Sequence, residues 1–489
     1  MDYSTVRISL DLNDSEYTTA VRSLIDEIQQ SSAQQDSLFE LAKLYFTSAD
    51  SNMRVLRSCQ DNLKSTEAYL LSAPSAKHPD IQRLISKLRK ELKAEQQRQF
   101  FERQKRYKLV ASICIKVLKL AEGKNQQQTN SKSAKLLATL FMLSSTDAKN
   151  RKHMHQLYKP LYKAVLALRL LDNMLSKNIL TNSYIVARYK PETRFSQVDG
   201  SYTQFQLEVS IPVIISAITQ DIGMQHAEIQ RLLKGADGSL DEFRVLDKGT
   251  RVPLLMMNHE QTQDFIENAI GTIEYDGNDP EKKIYFDKRQ TNRMKFILGL
   301  LNDAIKPTQG SIGNIIKLPQ IYSSFILSTK ANYNFQDLPK VIAILNNAAS
   351  RSSICSNATE CFIQLVGHFP LGFGVIYVPD HQPEDQLQDY YYAIVTKLNP
   401  KQADSPICRK ITAQGEISAE TKDFNLKPEN NLFYLSVQKT LDNLTEQQLA
   451  DLRKAHMRDL NDTKLPELVA GFWNPHRYFS IQKHQNLWA

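Results

Sequence analysis

The sequence predicts a mainly α-helical protein: a helical amino-terminal module, an all-helical middle domain, and a small carboxy-terminal α/β portion with a few antiparallel strands. Three observations predict this. Gly123 is the only glycine before Gly200. Apolar residues recur at three- and four-residue spacing through the amino-terminal part of the chain, the period of a helix with one buried face. Aromatic and β-branched residues cluster only after Gly367, in runs bounded by turn formers.

Taken in order, Val21-Leu24-Ile25-Ile28 and Leu38-Leu41-Leu44-Tyr45 mark two helices. A third starts near Asp80, beyond the breakers Pro74 and Pro79, with Ile81, Leu84, Ile85, Leu88 and Leu92 on one face. Unbroken to Leu120, it would span on the order of 60 Å. The polar, low-complexity stretch Glu122–Lys132 reads as a loop. Helices are expected over Ser133–Ser144 and His153–Lys177, and a boundary near Tyr184–Gly200, where Pro191 and Gly200 stand. The expected regions are a helical module over 1–190, a helical domain over 201–366 and a mixed α/β region over 367–489. Strands are expected at Phe369–Pro379, Tyr390–Leu398 and Leu432–Val437. A last helix starts at Thr445, which forms a capping box with Gln448.

Composition narrows the function classes. Hydrophobic residues make up 42% of the 489 and charged residues 23%, which excludes a disordered or membrane-embedded chain. No run approaches the roughly 18 consecutive apolar residues of a spanning helix, and the first residues carry no export signal. Five dispersed cysteines, Cys59, Cys114, Cys355, Cys361 and Cys408, suit reduced thiols and a cytoplasmic location. The net charge of +8 is uneven: residues 51–200 hold 29 Lys/Arg against 11 Asp/Glu. That block points either to an acidic partner, nucleic acid included, or to a solvated helical face. Arg83, Lys87, Arg89, Lys90, Lys93, Arg98, Arg103, Lys105, Arg106 and Lys108 are spread around one predicted helix and interleaved with Glu91, Glu95 and Glu102. Such spacing favours helix-surface pairs over a phosphate-tracking stripe. There is no dinucleotide fingerprint, P-loop or nucleophile elbow, and Cys355 and Cys361 lack histidines at zinc spacing.

The informative segment is Ile214–Gly271. An apolar helix ends in Gln220-Asp221-Ile222-Gly223, a Lys234-Gly235-Ala236-Asp237-Gly238-Ser239-Leu240 turn follows, and His259 lies one element later. Downstream come Ser328-Thr329-Lys330-Ala331-Asn332-Tyr333 and Gly367-His368-Phe369-Pro370-Leu371-Gly372-Phe373-Gly374-Val375. In this order the pieces resemble the HD-GYP branch of the HD phosphohydrolase superfamily, over about Ser201–Leu398. There the corresponding pieces are His-Asp-Ile-Gly-Lys, K-x-G-x-L, H-x-x-x-G, S-D-R-P-Y and G-x-Y-P-x-G. The resemblance implies an HD-type helical domain and a bacterial signalling context, in which intact relatives hydrolyse cyclic di-GMP with two or three metal ions.

The departures from that pattern bear on catalysis. The ligand histidine of the His-Asp pair is Gln220, the following lysine is Met224, and the glycine after the later histidine is Gln263. No histidine occurs between His155 and His226. Glu274-Tyr275-Asp276-Gly277-Asn278 is at best a remnant of the naming signature, and the later aspartate falls near Tyr322. Asp221 and His259 alone stand at matched ligand positions, too few to hold a dinuclear site against water. The expectation is therefore a catalytically inactive regulatory or scaffolding protein, without metal or other cofactor. It would act through protein partners, with cyclic di-GMP as a further ligand and a homodimer within reach of the long third helix. Two alternatives stay open. One is an active phosphodiesterase holding iron or manganese on Asp221, His226 and His259; the other is nucleic-acid binding through the basic block. Candidate binding residues are Asp221, His226, His259 and Lys234. Their plain readings are a turn carboxylate for Asp221, a cap or packing group for His226, and an ordinary helix histidine for His259.

Overall fold

The computed structural model describes residues 14–31, 35–144, 147–195, 201–379, 391–411, 422–438 and 471–488. It is mainly helical, with a small antiparallel sheet near the carboxy terminus, as the sequence predicts. The helix expected from Thr445 lies outside the described residues.

The first five helices are α1 (Glu16–Gln29), α2 (Leu38–Ser72), α3 (His78–Ala121), α4 (Gln126–Met142) and α5 (Ala148–Ser176). Three begin on side chains that accept a first-turn N–H. Ser37 accepts from Glu40 at 3.1 Å, Asn125 from Gln128 at 2.9 Å and Asp147 from Asn150 at 2.9 Å. The Asn125 cap corrects one expectation: only Glu122–Asn125 is loop, and the glutamine run opens α4. Glutamine is a good helix former, and buried Thr129 and Ser133 anchor the helix from its first turns. The Ser133 hydroxyl donates to the Ala121 carbonyl at 2.7 Å.

Next come α6 (Ser183–Val186), a π turn at Gln206–Ser210, α7 (Ile211–Thr219), a tight turn at Ile222–Gln225, α8 (Ala227–Lys234), α9 (Lys248–Asp264) and a π turn at Phe265–Ile270. They are followed by α10 (Pro280–Asp303), α11 (Asn314–Ile326), α12 (Val341–Ser350) and α13 (Ser356–Val366). Among the described residues the strands are β1 (Gly374–Tyr377), β2 (Tyr391–Val395), β3 (Ile407–Ile411), β4 (Phe424–Asn425) and β5 (Phe472–Trp473), joined by the short helices α14 (Leu435–Gln438) and α15 (His476–Phe479). Gln206–Gln225 is apolar and long enough to cross a membrane, yet 78% of its most apolar window is buried within the protein. That is the signature of a core helix.

The chain forms two compact units, each assembled from separated stretches. The first comprises Met1–Ile25, Ile115–Ile218 and Gly299–Ala489; the second comprises Asp26–Cys114 and Thr219–Leu298. The units interleave along the chain, whereas the sequence reading places three regions end to end.

In the first unit α5 is buried on all sides from Leu157 to Leu175, apart from Asn173 and Lys159, and α4, α11 and α13 pack on it. A helix apolar around its whole circumference has to be surrounded in this way. Tyr162 stacks on Tyr322 at 6.5 Å, and Tyr322 meets Phe362 edge-on at 5.4 Å. Four charges are sealed into the same unit. Glu122 accepts from Arg169 at 2.8 Å and from Arg194 at 2.7 Å, while Arg194 also pairs with Asp172 at 2.8 Å. The Gln206 amide donates to Glu122 at 2.8 Å.

The sheet runs β4-β3-β2-β1-β5, antiparallel throughout. Gly374 sits opposite Trp473, where a Cβ would come within 2.3 Å of the Trp473 carbonyl oxygen; only glycine allows that pairing. Phe373, just before β1, stacks on Phe335 at 4.6 Å. The expected strand Leu432–Val437 is instead turn and helix. Asn431 makes a single bridge to Tyr377, its side chain accepts from the Phe433 N–H at 3.0 Å, and the chain then coils into α14. An Asx turn of this kind overrides the β preference of Phe433 and Tyr434.

In the second unit α2 and α3 form an antiparallel hairpin. Arg89 pairs with Glu67 at 2.7 Å, and Arg98 donates to the Asn52 side chain at 2.7 Å. Beyond Phe46 no residue of α2 is buried. At 44 residues α3 is about 66 Å long, close to the expected length.

Candidate functional site

The candidate residues Gln220, Asp221, His226, Lys234 and His259 lie in the second unit, around and after the turn that follows α7, whereas the Ser328–Tyr333 and Gly367–Val375 segments belong to the first. Gln220 is buried, as are Ile222 and Gly223 in the tight turn. The turn is pressed against α9. The Gly223 N–H donates to Thr262 Oγ1 at 3.1 Å, and Asn258 Nδ2 donates to the Gln220 carbonyl at 3.2 Å. A Cβ on Gly223 would lie 2.2 Å from the Asn258 carbonyl oxygen, so the approach of α9 demands glycine.

Two polar atoms remain unsatisfied at this junction. Gln220 Oε1 and Asn258 Oδ1 are buried and have no hydrogen-bond partner among the described residues. Both are neutral acceptors, suited to an N–H or O–H donor and poor at holding a cation in competition with water. Sequence reasoning missed Asn258 and Thr262. Their spacing of four places them on one helix face, a signal that the neighbouring His259 obscured.

The other candidates are placed as follows. His226 is the N-cap of α8: its Nδ1 accepts from the Glu228 N–H at 3.3 Å, and its ring meets Phe46 edge-on at 5.5 Å. Asp221 begins the tight turn, and its backbone carbonyl accepts from the Met224 N–H at 3.2 Å. His259 follows Asn258 on α9 and is half-buried. Lys234 ends α8, where its ammonium pairs with Glu242 at 3.4 Å and its carbonyl accepts from the Leu240 N–H at 2.9 Å. Gly235 beyond it adopts a φ of +79°, a standard glycine helix stop. Arg244 donates to the Leu232 carbonyl at 2.8 Å and to that of Leu233, closing the turn. Tyr322, the position of the later aspartate, is an aromatic of the first unit's core, its hydroxyl pushed well up by burial and by Tyr162. Among the described residues no group of three or more His, Cys, Asp or Glu side chains could hold a metal ion.

An aromatic and basic layer supports α9 from within the same unit. Tyr45 donates to Asp264 at 2.9 Å, Phe46 packs on Phe265 at 5.9 Å, and Arg106 lies 5.3 Å over the Tyr45 ring. Arg106 also donates to the Ala269 carbonyl at 2.7 Å, and Arg103 to that of Thr272 at 2.8 Å. Two arginines of the basic block thus satisfy carbonyls at a helix end, a favourable place for cations. Others are paired on the surface: Lys87 with Glu91, Arg98 with Glu95, Lys105 with Asp36. Pairing of this kind leaves less free charge for phosphates than the sequence count suggests.

A separate groove of about 620 Å³ opens in the first unit between α12, α13 and residues 399–403, with Lys177, Thr359, His368, Asn399 and Lys401 on its walls. His368 of the Gly367–Val375 segment lines it, but none of Asp221, His226, Lys234 and His259 does. Comparison with family models, curated proteins and solved structures yields no match.

Proposed function

We propose that this chain is a non-hydrolytic, HD-GYP-like regulatory or scaffolding protein of bacterial signalling that works by binding. The observation that carries this reading is the chemistry of the junction between the α7 turn and α9. Where a hydrolase of that type needs a ligand histidine this chain has Gln220, and the turn around it is tied to α9 through Asn258 and Thr262. Asp221 and His259 alone are too few to hold the metal ions that activate an attacking water. His226, the residue best placed to rebuild a ligand set, is committed to capping α8.

What the junction offers instead is recognition. The amide oxygens of Gln220 and Asn258 are buried without a donor among the described residues, and the expectation of cyclic di-GMP as a ligand rests on the resemblance. A protein partner, a second copy of this chain included, is supported by the α2–α3 hairpin, where Leu71 and Phe101 are 90% and 65% exposed.

The test is an incubation of the full chain with cyclic di-GMP and added manganese or ferrous iron, read by chromatography of the nucleotide. No linear product is expected. Turnover that disappears in Asp221→Ala would overturn the proposal and establish the phosphodiesterase alternative.

A further inference from the structure

In the first unit, α5, the loop before Phe335 and α15 bring Arg151, His155, Tyr333 and His476 into one neighbourhood. Arg151 and His155 are one turn apart on α5 and share a face. The Arg151 guanidinium lies 4.6 Å over the Tyr333 ring, and the His155 ring meets the same ring edge-on at 5.2 Å. His476 packs edge-on against Phe141 and Phe335, at 5.7 and 6.3 Å, within electrostatic reach of both His155 and Arg151.

Four atoms here are buried without a hydrogen-bond partner among the described residues: Arg151 Nε, His155 Nε2, the Tyr333 hydroxyl and His476 Nδ1. Native interiors leave few such groups, and each one asks for a water, an ion or a function. Four in one neighbourhood call for a shared partner, and charge decides its kind. The charged groups acting on the two rings are Arg151 and Lys159 of α5 and the rings themselves; no carboxylate is among them. A cation would be repelled.

Hydrogen bonding points the same way. The carbonyl of Ser328 lies 2.8 Å from His155 Nδ1 and makes that nitrogen the donor. His155 Nε2 then carries the lone pair, and a proton added there creates a further donor beside the ring that Arg151 covers. We propose that Arg151, His155, Tyr333 and His476 form a binding site for a small inorganic oxyanion, taken up together with a proton on a histidine. Burial first, and neighbouring positive charge second, hold His155 neutral down to about 4 and His476 down to about 3. An anion in the site attracts the protonated ring and offsets this cost, so affinity rises as pH falls.

Sulfate is the probe, because its charge is constant across the range. The full chain is titrated calorimetrically with sodium sulfate at constant ionic strength, at pH 5.5 and 7.5. Saturable binding of one sulfate per chain is expected, tightening by up to about tenfold for each unit of pH lowered, the slope of one linked proton. Arg151→Gln should abolish it, and His155→Gln should flatten the pH dependence. Absence of saturable binding at pH 5.5, or equal binding in Arg151→Gln, would overturn the site. If Arg151→Gln does not fold, the wild type decides by thermal melting: sulfate raises the midpoint above chloride of equal ionic strength at pH 5.5 and hardly at 7.5. Equal midpoints in the two salts would refute the proposal.

Discussion

The sealed charge cluster of the first unit can be tested through Glu122→Gln. The substitution keeps the shape of the side chain and removes its charge. Glu122 accepts four hydrogen bonds, from Arg169, from both terminal nitrogens of Arg194, and from Gln206. In the variant two buried guanidinium groups face the single carboxylate of Asp172. Breaking a buried pair in this way costs about 3–5 kcal/mol. The titration of Glu122 points the same way. Burial alone would raise its carboxyl above the ordinary 4.5, but Arg194 and then Arg169 outweigh burial and hold it well below that value. A folded-state value below the unfolded one means stability that is complete above pH 4.5 and lost as pH falls below 4.5. The assay is urea unfolding followed by tryptophan fluorescence. Both tryptophans, Trp473 and Trp488, belong to the first unit, so the signal reports that unit alone. Glu122→Gln should lower its stability by about 3 kcal/mol at pH 7 and flatten its loss below pH 4.5. A cost under about 1 kcal/mol, or an unchanged acid slope, would refute the account of the cluster.

Further expectations concern other places. Gly223→Ala pushes a methyl group into the Asn258 carbonyl and should cost about 1–3 kcal/mol, seen as a lower thermal midpoint by far-ultraviolet circular dichroism; an unchanged midpoint would contradict the close approach of α9. His155 and His476, held neutral by burial, make the first unit lose stability as pH falls from about 6.5 toward 4 in chloride buffers. The slope should be about 1.4 kcal/mol per pH unit for each ring, and His476→Asn should halve it. Thiol labelling of the native chain should be fast at Cys59 alone. The other four are buried, with Cys114 and Cys361 pushed up by burial to about 12 and 11; rapid labelling of more than one thiol would show that the core opens.

What the sequence disclosed followed from periodicity. The 3.6-residue repeat of Ile81, Leu84, Ile85 and Leu88 gave α3, and the apolar face of Val21 to Ile28 gave α1, because each buries one side of a helix. Where local chemistry competed with composition, composition misled. Asn125 starts a helix in a glutamine-rich stretch that reads as loop, and Asn431 makes an Asx turn at the start of an aromatic stretch that reads as β. Strands of two residues, such as Phe472–Trp473, are too short to carry an alternating pattern. Of the candidate site, the Gln220–Gly223 turn was legible because its residues are consecutive. Asn258 and Thr262 were not, because their partners lie 38 and 39 positions away. The charge cluster was hidden for the same reason: Glu122, Arg169, Asp172, Arg194 and Gln206 come together only through tertiary packing.

The central claim is that the junction between the α7 turn and α9 binds without hydrolysing. Elemental analysis of the full chain purified without chelators tests it most directly, with metal quantified per chain beside an Asp221→Ala control. Far less than one equivalent of iron, manganese or zinc is expected, the same in both proteins. About two equivalents in the native chain, lost in Asp221→Ala, would contradict the claim and return the protein to the hydrolases.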